Sequence, residues 1–341
     1  MNNRISFFIL VLLIATIYSF VNVEALKILT SIFYLLIIFT SFKSSIQRCF
    51  ENIFLIAGLD MFFKITSSFP SWESNKIILV VMSLIVFFKS SQKKSIFLLF
   101  IPFVILSSWI FSSGEKSALQ YFYPWFVFVL VWISINKQNF SLDTFLQKEH
   151  IWFIGFFITS IFLLINKLDF SSLDYGSGRF SNNDAIGFSA NQFTNFSSIL
   201  IIYTFWKYFV FKKKKFDVYF YLGSFVLFFF SLASLSRGGF FILIVSLTPL
   251  IIYYRRKIKI KNAIYTLSLI TFSILFVNEI SKGALSLRFI GKSEMRHNTK
   301  KSDFTTGRLL TQKGDYITFS NNAILGVGTG NSGKYNEKIN I

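Results

Sequence analysis

Cysteine, histidine and acidic residues are scarce in this 341-residue chain. Cys49 is its one cysteine, which excludes a disulfide framework and a thiolate metal cluster. The two histidines, His150 and His297, fall on opposite sides of the membrane in the topology derived below. No H-E-x-x-H motif or carboxylate cluster accompanies them, so no metal site is expected. Asp and Glu total 16 against 35 Lys and Arg, a formal net charge of +19. No internal repeat is visible. Nor does a pair of Gly/Pro-broken apolar spans stand in matching halves, the pattern that points to a secondary transporter.

What the chain has in abundance is apolar and aromatic. It is 53% hydrophobic and 20% aromatic, with a mean hydropathy of +0.57. Soluble domains are about 45–50% apolar, and their apolar residues form periodic faces. Here they form uninterrupted runs, such as Ile5–Phe20, Ile77–Phe88, Tyr121–Ile135, Ile151–Ile165 and Ala263–Val277. A bilayer crossing takes roughly 20 mostly apolar residues, down to about 17, so flanking polar residues complete several of the crossings. Eleven spans are expected, at about 5–23, 26–42, 52–66, 75–88, 95–111, 120–135, 151–165, 187–211, 216–234, 239–254 and 262–280. The fold class expected is an all-α polytopic membrane protein with a large extracytoplasmic loop carrying short helices. The third span contains Asp60, four residues before Lys64, and a local ion pair on one helix face is preferred there to a functional site.

In such a protein the cations report topology. Alternate short loops carry Lys43 and Arg48; Lys89, Lys93 and Lys94; Lys137 and Lys148; Lys212 to Lys215; and Arg255, Arg256, Lys257, Lys259 and Lys261, sixteen in all. The loops between them carry Lys27, Lys64, Lys76, Lys116, Lys167, Arg179 and Arg237, seven in all. The alternation is unbroken, so the positive-inside rule places the N-terminus in the cytoplasm. The basic runs then read as membrane-surface electrostatics, with no nucleic-acid partner. Met1–Ala25 has marks of a signal peptide, with Val23-Glu24-Ala25 as a cleavage site, but its apolar run is long for one and favours an uncleaved first span. Residues 1–280 are expected as a multi-span membrane domain and 281–341 as an extracytoplasmic loop domain.

Two outer segments are long enough to build a site, Asn166–Ile186 and the terminal loop. Arg237 lies in Ser236-Arg237-Gly238-Gly239 at a span boundary, with two glycines that let backbone or ligand approach closely. It reads equally as an interfacial anchor or as a bidentate phosphate ligand. Arg179 lies in Gly176-Ser177-Gly178-Arg179-Phe180-Ser181-Asn182-Asn183, ahead of Asn191-Gln192-Phe193. The asparagine amides suit sugar hydroxyls, although such composition also describes an ordinary solvated turn. Arg308 opens a predicted helix, Arg308–Ser320, on which Arg308, Gln312, Asp315 and Phe319 share a side. Beyond it, Gly328 and Gly333-Lys334 imitate a P-loop. Tyr335 stands where a magnesium-binding Ser or Thr belongs, and the loop faces outward, so the match is rejected. A bilayer enzyme acting outside the cytoplasm on a lipid-linked, phosphate-bearing substrate needs this layout. An anchor does not.

In this order, GRFSNN with a following N-x-F, then SRGG between two spans, then a Gly-Arg-opened helix running into ILGVGTGN, residues 175–331 resemble the bacterial O-antigen ligase and O-antigen (capsule) polymerase superfamily. The resemblance implies a membrane glycosyltransferase of the bacterial cytoplasmic membrane, acting on its extracytoplasmic face without cofactor, metal or nucleotide sugar. It would transfer a glycan from undecaprenyl pyrophosphate to an acceptor hydroxyl. Arg237 and Arg308 match the arginines thought to hold the pyrophosphate and are the expected catalytic pair. Arg179 matches more loosely and, with Asn191, Gln312 and Asp315, is expected to bind substrate. Partners implied are the lipid-linked glycan, the glycan acceptor, the bilayer and other polysaccharide-assembly membrane proteins. Polymerase is preferred, with ligase as the alternative; outside the class the rivals are a transporter of the lipid-linked glycan and an inactive membrane subunit. In the family an outer His-Asn pair and a further span follow the glycine-rich block, and the His is a candidate base. Neither occurs in the ten residues after Asn331, which implies either a C-terminally truncated or split product or a base elsewhere. His297 does not align with that position.

Overall fold

The computed structural model describes residues 2–69, 74–89, 126–129, 148–167, 189–210, 218–234, 236–257, 260–283 and 285–286, with the pairs 313–314, 316–317 and 320–321. Every regular element among them is helical. The chain is an all-α protein there, as expected. In chain order the helices are α1 (Asn2–Phe20), α2 (Val23–Lys43), α3 (Ile46–Ile65), α4 (Ser74–Lys89), α5 (Ile154–Asn166), α6 (Ala190–Val210), α7 (Val218–Ala233), α8 (Arg237–Tyr254, prolonged by a 3₁₀ turn Arg255–Lys257) and α9 (Ile260–Ile280). They coincide with nine of the expected stretches. The stretch at 95–111 lies outside the described residues, and of 120–135 only the helical turn 126–129 is described. By length and composition alone, one helix among the described residues, α2, is long and apolar enough to cross a membrane; the apolar helices Ile9–Phe20, Ile154–Asn166, Val218–Ala233, Gly239–Tyr254 and Leu267–Ile280 are shorter.

Of the boundaries that differ from expectation, two have a local reason. The α2 helix starts at Val23 because Asn22 caps it, its Oδ1 accepting from the Glu24 N–H at 3.0 Å. Val23-Glu24-Ala25 is therefore a helical first turn. The α3 helix starts six residues earlier than its apolar stretch, because its polar first turns have partners. Ser45 accepts from the Arg48 N–H at 3.4 Å, Gln47 bonds Glu51 at 3.5 Å, and Asn52 donates to the Ser41 hydroxyl at 2.7 Å.

The chain divides into two compact units. One comprises residues 1–28, 58–69 and 152–302. Within it α1 packs on α5, α5 on α7, α7 on α6 and α9, and α6 on α8. The backbones at Gly58 and Gly155 nearly touch, since a Cβ on Gly155 would fall on the Gly58 carbonyl and 2.6 Å from the Leu59 nitrogen. Aromatic faces fill the space beside this crossing, with Phe156 stacked on Phe196 at 4.0 Å and Phe153 on Tyr203 at 4.3 Å. Hydroxyls join the helices: Thr204 and Ser224 share a hydrogen bond of 2.7 Å, and Ser160 donates to the Gly223 carbonyl at 3.3 Å. The predicted Asp60–Lys64 pair is present at 2.6 Å. Helix α3 ends through Ser67 in the left-handed region (φ 54), which lets the Ser68 N–H reach the Phe63 carbonyl at 3.1 Å. At the end of α9 Lys282, also left-handed (φ 51), does the same, turning the Gly283 N–H onto the Asn278 carbonyl at 2.8 Å.

The other unit comprises residues 29–57, 70–151 and 303–341. Its polar centre is the α2–α3 turn. The Lys89 ammonium donates to the carbonyls of Ser41 at 2.7 Å and Ser44 at 2.6 Å, occupying acceptors that the end of α2 leaves open. The buried Cys49 thiol also donates to Ser41, at 3.2 Å, and Lys148 pairs with Glu51. Tyr34 donates to Asn75 at 3.2 Å, and Phe87 and Val129 pack with Leu84 and Phe126.

Candidate functional site: the first turns of α6 and α8

SRGG is the start of a helix. Ser236 is the N-cap of α8, extended at φ −81 and ψ 101, and its Oγ accepts from the Gly239 N–H at 3.3 Å. A serine just ahead of an apolar run is favoured there because it satisfies one of the unpaired amides of the first turn. The same hydroxyl donates to Asn191 Oδ1 at 2.7 Å. Asn191 lies in the first turn of α6, where the Ser189 carbonyl accepts from the Phe193 N–H at 3.0 Å. Two motifs read separately in the sequence, SRGG and N-x-F, thus form one corner of the first unit.

Gly239 explains part of the glycine pair. A Cβ there would overlap the Thr194 Cβ and Cγ2 and lie 3.1 Å from its Oγ1, so the close approach at this glycine is helix against helix. Thr194 is buried and turns its hydroxyl back onto the Ala190 carbonyl at 2.9 Å, leaving its methyl face to α8. Ser236 is buried as well.

Arg237 is the first residue of α8, in a first turn without an acidic residue. The amino end of a helix carries a positive partial charge, so a cation there has the wrong sign and is destabilising by about 0.3–1 kcal/mol. Local helix energetics does not account for Arg237. An anion brought to this turn would reverse the balance.

Of the other expected site residues, Arg179, Arg308, Gln312 and Asp315 lie outside the described residues, as do Gly328–Lys334 and His297. Asn191 is described and exposed, with its carbonyl oxygen engaged by Ser236. Sequence reasoning passed over Thr194 and gave Ser236 no role of its own. The available signals were a serine at a helix start and the i, i+3, i+7 spacing of Asn191, Thr194 and Ser198 in an apolar helix. Among the described residues no three His, Cys, Asp or Glu side chains gather as a metal ion would require. The chain matches no protein-family model, no curated protein and no solved structure.

Proposed function

We propose that this chain is a multi-pass protein of a bacterial cytoplasmic membrane, with a cytoplasmic N-terminus, eleven spans and an outer loop from Ser281 onward. In this reading it is a polymerase-type glycosyltransferase that extends surface polysaccharide from undecaprenyl-pyrophosphate-linked oligosaccharide. The apolar surface of the helices supports the bilayer part. Leu35 and Phe39 on α2, Phe241 and Ile252 on α8, and Phe272 and Leu275 on α9 are all exposed. Each such side chain left in water rather than buried forgoes about 1.5–3 kcal/mol, which acyl chains would supply. Small residues at helix crossings and hydroxyl bonds between helices are the means by which helices associate in lipid.

The single observation that carries the chemical part is Arg237 at the first position of α8, where the helix itself disfavours a cation. In the proposed reaction an acceptor hydroxyl attacks the anomeric carbon of the lipid-linked sugar. The bond from that carbon to the pyrophosphate oxygen breaks with its electron pair, and the hydroxyl's proton leaves to a base. Negative charge accumulates on the departing pyrophosphate. A guanidinium and helix-end N–H groups held in advance would stabilise that charge without reorganising. Arg308 and Arg179 are the other cations assigned to the leaving group, from the motif resemblance.

The test is the full chain in lipid nanodiscs supplied with undecaprenyl-pyrophosphate oligosaccharide. Longer glycans and released undecaprenyl pyrophosphate are expected, and both should vanish in Arg237→Ala. Transfer to a lipid or protein acceptor without chain growth would make it a ligase. Movement of intact lipid-linked glycan across a vesicle, with no bond broken, would make it a transporter.

A further inference from the structure

Asn191 and Ser236 are 45 residues apart in sequence and share one hydrogen bond. Ser236 has a single hydroxyl hydrogen, which goes to Asn191 Oδ1, while its oxygen accepts from Gly239. One buried hydroxyl therefore ties the first turn of α6 to the first turn of α8. A second restraint lies three residues further along each helix. There Thr194 and Gly239 meet so closely that a methyl group on the glycine has no room. The hydrogen bond limits rotation of the α8 turn, and the steric contact sets its distance from α6. Arg237 stands between Ser236 and Gly239, the two residues held in this way.

We infer that Asn191, Ser236, Thr194 and Gly239 are positioning residues that aim Arg237, and that Asn191 acts through Ser236 rather than on the sugar. The inference rests on the proposed phosphate-binding role of Arg237 for its functional consequence. Its structural content stands apart from that role. Bidentate recognition of phosphate oxygens demands an oriented guanidinium, and a long side chain on a loose turn loses conformational freedom when it binds. Anchoring the turn beforehand reduces that loss.

Two measurements on the full chain in nanodiscs test this. In the first, a nitroxide is attached at Arg237→Cys in a Cys49→Ser background. An immobilised spectrum is expected, gaining a mobile component in Asn191→Ala and equally in Ser236→Ala, with no further change in the double variant and recovery in Ser236→Thr. Unchanged spectra in both single variants would overturn the tie. In the second, Arg237 is kept and affinity for undecaprenyl pyrophosphate is measured. Each single alanine variant should weaken binding by about fivefold to tenfold, the effect of one neutral hydrogen bond, with no additional loss in the double variant and an unchanged KM for the acceptor glycan. Additive losses, or an acceptor KM raised by Asn191→Ala but not by Ser236→Ala, would restore Asn191 as a sugar ligand and defeat the inference. If no form binds undecaprenyl pyrophosphate, the functional reading fails while the label spectra still decide the tie.

Discussion

Alanine at Gly155 and alanine at Gly58 should have very unequal consequences, although the two glycines face each other across one helix crossing. A Cβ on Gly155 meets only backbone: the Gly58 carbonyl carbon and oxygen, and the Leu59 nitrogen at 2.6 Å. Ordinary contact begins at 3.4 Å, and the Gly58 carbonyl atoms lie nearer than the Leu59 nitrogen, so α5 must withdraw from residues 58–59 by more than about 0.8 Å, and no side-chain rotation can relieve it. The withdrawal would pull Phe156 from its 4.0 Å stack on Phe196. The penalty therefore belongs at the upper end of the about 1–3 kcal/mol typical of overpacking. A Cβ on Gly58 meets the Trp152 carbonyl oxygen at 3.3 Å and a Phe156 ring carbon at 3.8 Å, which an adjustment of a few tenths of an ångström accommodates. There the gain from replacing a helical glycine, roughly 0.5–1 kcal/mol, offsets the crowding. Thermal unfolding of the purified variants, followed by tryptophan fluorescence, should show a clear drop in midpoint for Gly155→Ala and little or no drop for Gly58→Ala. Equal drops, or a larger one at Gly58, would refute the reasoning.

Three further outcomes are expected. Ser67 is exposed and left-handed, so Ser67→Gly should stabilise the end of α3 by up to about 1 kcal/mol, read as a raised unfolding midpoint. Asp60→Asn alone should destabilise more than Asp60→Asn with Lys64→Gln, because the single change removes the carboxylate beside a largely buried ammonium whereas the double change removes both charges; the comparison is again of unfolding midpoints. Cysteines introduced at Ser181 and Ser302 in whole cells should react with an impermeant thiol reagent and one at Lys213 should not, and the reverse pattern would invert the proposed topology.

The helices were legible because their apolar runs are long, and the Asp60–Lys64 pair because it spans one helical turn. The start of α3 was not legible. Gln47, Arg48 and Glu51 read as a polar loop ahead of a span opening at Asn52, and the partners of Asn52 and Glu51, Ser41 and Lys148, are remote enough in sequence that no local pattern announces them. At SRGG the sequence indicates a close approach without saying to what. Thr194, the residue that fills it, belongs to another helix more than forty positions earlier. The serine of the same motif is a recognisable helix cap, yet its second bond, to Asn191, is tertiary and beyond what spacing can reveal. The crossing at Gly58 and Gly155 went unread for the same reason, since neither glycine sits in a turn or a motif.

The most direct measurement is the affinity of the nanodisc-embedded chain for undecaprenyl pyrophosphate, compared among the native protein, Arg237→Lys and Arg237→Ala. Lysine keeps the charge and loses the planar fork, so a phosphate ligand at the head of α8 predicts that Arg237→Lys weakens binding nearly as much as Arg237→Ala. Native affinity in Arg237→Lys would mean that the residue serves as an interfacial anchor, and would contradict the account.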